Sequence, residues 1–541
     1  MSTEQPSTTD QTPESAHHLE QQRRDNREAV RALGFDPYGQ RTDALVSIAA
    51  ARALHSDAAD EAFAAASKED RADPAFADPR ATARIAGRVV LARDNGKLVW
   101  LNLRDHSGDV QVAASQRDCD ERGFKVAKST DLADVLVVQG RVMKTRTGEI
   151  TIWAEHVEPA AKCLVPPPAK HEGLQDVELR YRQRYIDFWA NPEARRVLDL
   201  RARVIQRVRR ILDERGFVEV ETPVLQVLAG GAAARPFRTH MNALDLPLFM
   251  RIAPELYLKR LLVGGMPRVY ELSRNFRNEG LDRNHNPEFT MLEAYEAFGD
   301  VESMMDLTET LVREAAMVAT LAAQDEAAKA GGAAPDEDAL PRDLRLPFGE
   351  HIVDYAPAFL RVRYADLFEK TLGFPMTDHA RARQEAASRR IKTRNEQGVE
   401  LDAWLVVNAL FEDAAEPTLD PTRPTFITHY PAAISPLTRA SRQDPAVADR
   451  ADLFIGGIEL APHYTELNDP DVQEARFREQ LAGLDEEEST FRTFDEDFVR
   501  ALKVGMPPAG GMGLGIDRLM MLVANQPSIR DVLAFPLMRP L

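Results

Sequence analysis

Residues Arg268 to Asp300 read RVYELSRNFRNEGLDRNHNPEFTMLEAYEAFGD. Two apolar-rich runs flank a loop of Asn, Asp, Arg and Gly, which is the pattern of two strands and a charged connection. In the second run Phe289, Met291, Glu293 and Tyr295 recur at a period of two, so all four leave one face. Arg277 and Glu279 share a parity at the end of the first. Opposed in an antiparallel pair, these positions make one wall bearing a guanidinium, carboxylates, an aromatic ring and a phenol. An amphipathic hairpin laced with salt bridges would show the same alternation. The inventory also suits a ligand with phosphate, base and ammonium parts.

The words FRNEG and HNPEFTMLE within that stretch resemble the second signature motif of the class II aminoacyl-tRNA synthetases, in the form carried by the lysyl enzymes. The resemblance runs from about Arg84 to the C-terminus. Near the end, GGMGLGIDRLMMLVAN (510–525) is a Gly-rich strand leading into an apolar helix, where glycines permit close approach of a flat ligand or another backbone. With Arg518 at the helix start, it resembles the third motif. Val197, Leu200, Val204, Val208, Ile211 and Leu212 recur at helical spacing, followed by Gly216 and FVEVETPVL. This helix, strand and proline resemble the first motif, which implies a dimer interface.

Composition sets the frame. A chain of 541 residues with 44% hydrophobic and 28% charged residues has room for two or three domains. The N-terminus has neither a basic nor an apolar leader pattern, and no apolar run reaches about eighteen residues, so the expectation is a cytoplasmic protein. Two cysteines, Cys119 and Cys163, exclude a disulfide framework. The net charge of −18 argues against a nucleic-acid partner globally, although local patches decide such binding. Arg180 to Arg184 and the arginines of 201–215 are candidate patches; arginines on a helix also commonly form its solvated face.

Along the chain, 1–20 is polar and expected to be a disordered tail, and 21–80 a helical extension. From Arg84 to Pro159, three strands, a helix-compatible segment and two more strands follow, within a domain placed at 81–160. That order is expected of an OB-fold β-barrel, whose face binds oligonucleotides. Trp100, with Arg93 just before its strand, would be a stacking platform beside a cation, or else core. LVPPPAKHEG lies in a stiff linker at 161–180. The remaining 181–541 is expected to be the catalytic domain, an antiparallel sheet flanked by helices. The Ala/Asp/Glu/Gly/Pro-rich segment of about 318–345 reads as a low-complexity surface insertion. The fold class is thus multidomain α/β.

DLFIGGIELAPHYTELND (452–469) reads as a hairpin turning at Gly456–Gly457. In that register Phe454 opposes Glu459, which sets Asp452 and Glu459 diagonally on one face at about 7–8 Å. Two carboxylates so placed suit magnesium, with water and phosphate oxygens completing the coordination.

The resemblance implies a lysine–tRNA ligase. Lysine would attack the α-phosphate of ATP, and the lysyl group would pass to the 3′ end of tRNA(Lys). It implies Arg277 on the α-phosphate and Arg518 on the γ-phosphate or adenine face as catalytic residues. ATP would also meet Glu279, His285 and Phe289. Lysine would meet Gly231, Glu255, Glu293, Tyr295, Tyr464 and Glu466, with Glu255 at the α-amino group and Glu466 at the ε-ammonium. Arg93, Trp100, Gln111 and Glu149 fall on anticodon-reading positions. Asp452 and Glu459 would hold Mg2+, about two to three ions per subunit, and the enzyme would be a homodimer.

Two positions depart from the family. Asp452 stands where Glu is usual, and Pro462-His463 replaces an Asn followed by a small residue. Pro can neither bond the substrate carboxylate nor donate to a sheet; His463 compensates if its ring reaches that carboxylate. Glu459 and Glu466 have opposite parity, so a bulge lies between them, with Pro462 as its candidate. Three alternatives stand beside the ligase: a catalytically impaired tRNA-binding or regulatory protein, an aspartyl/asparaginyl-type synthetase, and a lysyltransferase acting on a translation factor. The acidic-substrate reading wants a pocket cation, and the sequence suggests none.

Overall fold

The computed structural model describes residues 13–73, 75–166, 174–232, 234–329, 343–395, 398–481 and 494–540. The chain forms two units, Met1–Gln175 and Asp176–Leu541.

The first unit corrects the expected tail. Residues 1–12 lie outside the described residues, but α1 (Pro13–Ala32) is helical. It has a fixed docking face. Arg23 is buried and donates to the Leu132 and Cys163 carbonyls at 3.0 and 2.9 Å, and Val30 is buried beside it. Strands β1 (Thr82–Asp94), β2 (Leu98–Asp105) and β3 (Gly108–Ser115) follow, then α2 (Glu121–Lys128), β4 (Val135–Lys144) and β5 (Ile150–Ala161). They close into a barrel in the order β1-β2-β3-β5-β4, the expected OB-fold. Alternation builds it: Val99, Leu101, Leu103, Val112, Val138 and Ile152 are buried inside, which leaves the intervening residues outside. Gly140 sits at a register shift between β4 and β5. A Cβ there would stand 2.0 Å from the Trp153 carbonyl oxygen, so the close approach requires glycine.

In the second unit, residues 177–182 of the expected linker form a helical turn, and Tyr181 donates to Asp531 at 2.9 Å. Residues 167–173 lie outside the described residues. Helix α3 (Pro192–Glu214) begins with proline at its first position, where the missing N–H costs nothing. Next come β6 (Val218–Glu219), α4 (Glu255–Val263), β7 (Arg268–Phe276), β8 (Glu288–Ala297) and α5 (Val301–Lys329). The chain continues through β9 (Leu360–Arg363), β10 (Thr425–Thr428), β11 (Arg450–Ile455), β12 (Ile458–Thr465), β13 (Ala509–Gly515) and α6 (Ile516–Val523). The expected insertion is corrected in part: 318–329 are the last turns of α5 and Arg345 opens a short strand, while 330–342 lie outside the described residues.

The eight strands form one sheet, β9-β10-β11-β12-β13-β8-β7-β6. It is antiparallel except at its two margins, where β6 and β9 pair parallel with their neighbours. One face is covered by α3, α5 and α6, through Val204, Val208, Leu311, Ala316 and Leu519 against Leu292, Ala294, Leu453 and Leu514. Period-two alternation therefore sends Met291, Glu293 and Tyr295 to the opposite face.

The candidate basic patches are corrected as well. Arg180 and Arg184 both pair with Asp187, and Arg182 with Glu178. On α3, Arg203, Arg207, Arg209 and Arg210 reach Asp325, Glu314, Glu219 and Glu214. Three of those four carboxylates lie on other elements, so these arginines tie the helix layer together.

Arg201 has a further role. Its Nη1 lies 2.6 Å from Asp517 Oδ1 and its Nη2 donates to Thr290 Oγ1 at 3.1 Å, while Asp517 Oδ2 accepts from the Thr290 N–H at 2.7 Å. The first motif's helix, the second motif's strand and the third motif's helix thus meet on one buried carboxylate. Removing one partner of a buried ion pair leaves the other uncompensated. Arg201→Met is expected to destabilise this unit by about 3 kcal/mol, read as a lower urea midpoint. A midpoint equal to the parent's would show the pair to be energetically neutral.

Candidate active site

The cleft lies on the open face of the sheet. Asn275 pairs with Phe289 across β7 and β8, and the Arg277 N–H donates to the Pro287 carbonyl at 2.9 Å, so Arg277 continues on the Asn275 face. Its guanidinium carbon lies 5.0 Å from the centre of the Phe289 ring. Burial pulls its pKa down, the direction that an anionic ligand would reverse. Arg277 Nε and Asn275 Oδ1 are buried without a hydrogen-bond partner among the described residues.

Glu279, His285, Phe289, Glu459 and Arg518 line the same cleft. A relay fixes the cationic side of it. His285 Nδ1 lies 2.7 Å from Asp282 and its Nε2 lies 2.9 Å from Arg518 Nη2. Since Arg518 can only donate, His285 is the neutral tautomer that accepts at Nε2 and donates at Nδ1. Arg518 also donates to the Glu459 carbonyl at 2.6 Å.

The hairpin of β11 and β12 pairs Phe454 with Glu459, the register read from the sequence. The shift falls between Leu453 and Phe454, which face Ala461 and Glu459, so Leu460 is the extra residue. Pro462 is therefore not in the bulge; it pairs with Asp452. His463 does not reach the cleft either. Its ring is buried on the helix-covered face, with Nδ1 at 3.0 Å from the Ala451 carbonyl and Nε2 at 2.8 Å from Thr308 Oγ1. Burial pushes its pKa down to about 4.

Asp452 and Glu459 do share a face, but Asp452 is gripped by Arg450 through two contacts of 3.1 and 2.6 Å. Glu459 opens to the cleft and has its pKa raised by desolvation, then by Asp452. Among the described residues no group of three His, Cys, Asp or Glu converges as a metal cage. The surplus charge at Glu459 still fits a magnesium ion arriving on phosphate oxygens, which needs only one or two protein carboxylates.

Glu255, Glu293, Tyr295, Tyr464 and Glu466 form a buried group that adjoins Arg277 through Glu293. Glu255 occupies the first turn of α4, whose N-terminal end favours a carboxylate. Gly231 (φ +86°) lies against it: a Cβ there would stand 3.2 Å from the Glu255 Cβ. Desolvation, then Glu255, raises the Glu293 pKa to about 8, and desolvation raises that of Glu466 to about 7. One expectation fails here, because the pocket does hold a cation. Lys259 is fully buried with its Nζ 2.6 Å from Glu255 and 2.5 Å from Glu466. An i,i+4 Glu–Lys spacing was the available sequence signal.

In the barrel unit Arg93 pairs directly with Trp100, and Trp100 with Ala113. Trp100 is half-buried and meets a second tryptophan edge-on: Trp153 lies at 6.3 Å and 85°. The sequence reading missed Trp153, although its place opposite Ala113 on β5 puts it on Trp100's side of the barrel. Gln111 accepts from Thr151 at 2.9 Å, and exposed Glu149 lies 3.4 Å from Arg52.

Comparison with known proteins agrees with this geometry. Residues 176–539 match the family described as class II tRNA synthetases (D, K and N), and residues 83–160 match the OB-fold nucleic acid binding domain. The chain is 43% identical over 467 residues to the lysine–tRNA ligase of Carboxydothermus hydrogenoformans, covering 85% of this chain and 89% of that one. It is 40% identical over 522 residues to the lysine–tRNA ligase of Bacillus subtilis, covering 96% and 97%. Carrying the family's match over more than half its length, with its three motifs joined at Asp517, the chain belongs to the class II tRNA synthetases of the D, K and N group.

Proposed function

We propose that this chain is a lysine–tRNA ligase, which activates lysine with ATP and transfers it to the 3′ end of tRNA(Lys). One observation carries the choice of substrate. Arg277 lines the open cleft and adjoins, through Glu293, a buried cluster of three carboxylates, Glu255, Glu293 and Glu466, which outnumber Lys259, the lysine ammonium paired with them among the described residues. A shorter or neutral substrate would leave carboxylates buried and unpaired, at several kcal/mol. Lys259 does not favour an acidic substrate, since it is already engaged by two carboxylates.

In the first step a lysine carboxylate oxygen bonds the α-phosphorus of ATP. The bond to the bridging oxygen breaks, and pyrophosphate leaves with the electron pair. In the second, a ribose hydroxyl of the terminal tRNA nucleotide attacks the lysyl carbonyl, the bond from that carbon to the phosphate oxygen breaks, AMP leaves with the electron pair, and the hydroxyl proton is released to solvent. Phosphoryl chemistry of this kind needs positioning and charge neutralisation more than a protein nucleophile. Arg277, with its unpartnered Nε, would clamp the α-phosphate and lysine carboxylate. The adenine would stack on Phe289 and its amino group would bond Glu279. Arg518, oriented by His285, would take the γ-phosphate or the other adenine face. Glu459 would hold magnesium on the phosphates, and Asp452 would join it on release from Arg450; the ion supplies charge neutralisation. Glu255 would take the α-amino group, Gly231 would keep the wall beside it clear, and Glu293, Tyr295, Tyr464 and Glu466 would surround the ε-ammonium. Pro462 would weaken lysine binding through its missing donor. The barrel face of Arg93, Trp100, Gln111 and Glu149, with Trp153, would read the anticodon. A cytoplasmic homodimer completes the reading. It is supported by exposed apolar side chains at Val218, Val224, Leu225 and Leu244, and no described helix is long and apolar enough to cross a membrane.

Lysine-dependent ATP–pyrophosphate exchange tests the reading, and its pH profile tests the pocket. Raised carboxylate pKa values mean that the empty pocket holds protons which a cationic substrate must expel, so acid weakens binding. The lysine kcat/KM is expected to climb by up to about tenfold per pH unit per proton below the Glu466 and Glu293 pKa values of about 7 and about 8, then level off. A flat profile there would remove these carboxylates from lysine recognition. A Cβ on Gly511 would stand 1.9 Å from Glu466 Oε1 and 2.6 Å from Tyr295 Cε1. Gly511→Ala is therefore expected to raise the lysine KM by about 100-fold, near 3 kcal/mol of overpacking, with the ATP KM little changed. Trp100→Ala and Trp153→Ala are each expected to weaken tRNA charging by about 1–3 kcal/mol while sparing exchange. If exchange and thermal stability fall with charging, the two rings are core.

A further inference from the structure

Lys259 has no solvent-exposed surface, and a buried ammonium costs several kcal/mol unless carboxylates face it. Glu255 is one turn away on the same helix, so it alone would explain an ordinary intrahelical pair. Glu466 is different. It follows β12, more than two hundred residues further along the chain, and still brings Oε2 to 2.5 Å from the Lys259 ammonium. Both Glu466 oxygens are buried with no hydrogen-bond partner of good geometry among the described residues, and Oε2 is the one in ion-pair contact with the ammonium. Any side chain at Gly511 would displace Oε1. The lysine ammonium thus sits against Oε2, while Oε1 lies over the bare backbone of Gly511.

We infer that Lys259 is a specificity-determining positioning residue: shared between Glu255 and Glu466, it orients Glu466 and leaves the three pocket carboxylates two in excess of its own charge, matched to a substrate bearing two ammonium groups, while Arg277, which also lines the open cleft, is left to the substrate's carboxylate. The inference rests on the reading of this pocket as the lysine site. The third carboxylate, Glu293, is not touched by Lys259; its neighbours are Tyr295 at 3.3 Å, Asn275 at 3.5 Å and, through space, Arg277, Glu255 and Glu271. Glu271 is itself paired with Arg251 at 2.6 Å. The Tyr295 and Tyr464 phenols are pushed up by burial and add no charge. Counting every charged group that faces Glu466, the ammonium of Lys259 is the one that favours its ionised form, and Glu255 opposes it. A free lysine brings α- and ε-ammonium groups to meet the balance. A neutral amino acid, with one ammonium, would leave a carboxylate unmatched, and a pocket stripped of Lys259 would hold one too many.

The test is Lys259→Met, which keeps the length of the stem and deletes the charge, assayed by lysine-dependent pyrophosphate exchange across pH. Without its counter-ion Glu466 holds its proton more tightly. The acid limb of lysine kcat/KM is then expected to move up by about one pH unit, with the lysine KM at neutral pH rising about tenfold and kcat and the ATP KM changing far less. Lys259→Arg, which restores a cation, is expected to leave the limb where the parent has it. A limb unmoved in Lys259→Met, or moved equally in both variants, overturns the inference and makes Lys259 a packing residue. If Lys259→Met does not fold, Lys259→Gln, which also deletes the charge, takes its place in the same assay with the same two outcomes. A parent protein that exchanges pyrophosphate with lysine while the limb stays fixed in Lys259→Met sinks only the role of Lys259. A parent without lysine-dependent exchange sinks the ligase reading and this inference with it.

Discussion

The carboxylate of Asp517 is the point on which the catalytic unit depends. It receives the Thr290 N–H from the central strand and the Arg201 guanidinium from the long helix, and it opens α6 itself. Three stretches, the outermost more than three hundred residues apart in sequence, are thereby set at fixed distances before any ligand arrives. Its neighbour Arg518 leaves the same helix end on the other side and enters the cleft. An anchored residue and a functional residue are adjacent in sequence, so the precision of the second derives from the burial of the first.

Charge is sorted along the cleft. Arg277 and Arg518 line the open part, and the buried carboxylates Glu255, Glu293 and Glu466 lie together on the other side of Arg277. Each group is strained by burial in the direction that an oppositely charged ligand would relieve: the Arg277 pKa falls, while those of Glu293, Glu466 and Glu459 rise. Elsewhere the arginines of α3 are neutralised within the fold. That contrast separates the site from the scaffold more sharply than the number of charges does, for both are rich in arginine and glutamate.

Features set by local periodicity were legible in the sequence. The face carrying Phe289, Met291, Glu293 and Tyr295 follows from a period of two, and the Phe454–Glu459 register from the position of a Gly-Gly turn. Features set by distant partners were not. Whether Arg207 is solvated or paired depends on Glu314, on another helix. Whether 13–20 is a tail or a helix depends on what receives Arg23, found at Leu132 and Cys163. The need for a bulge was readable from the parity of Glu459 and Glu466, but its place at Leu460 was not, since Pro462 was the stronger local signal.

That proline has a structural consequence of its own. Strand β12 lies inside the sheet, between β11 and β13, where proline is disfavoured because it cannot donate to a ladder. The pairing of β12 with β13 begins at His463 with Met512, one residue past Pro462. Before that point the two strands stay in contact but do not pair, and there Glu459, Leu460, Pro462 and Gly515 line the cleft. His463 turns to the covered face, where the Ala451 carbonyl and the Thr308 hydroxyl meet both ring nitrogens of a neutral imidazole. The two unusual residues thus act on opposite sides of one strand: His463 completes the packing against α5, and Pro462 lines the cleft where the ladder stops.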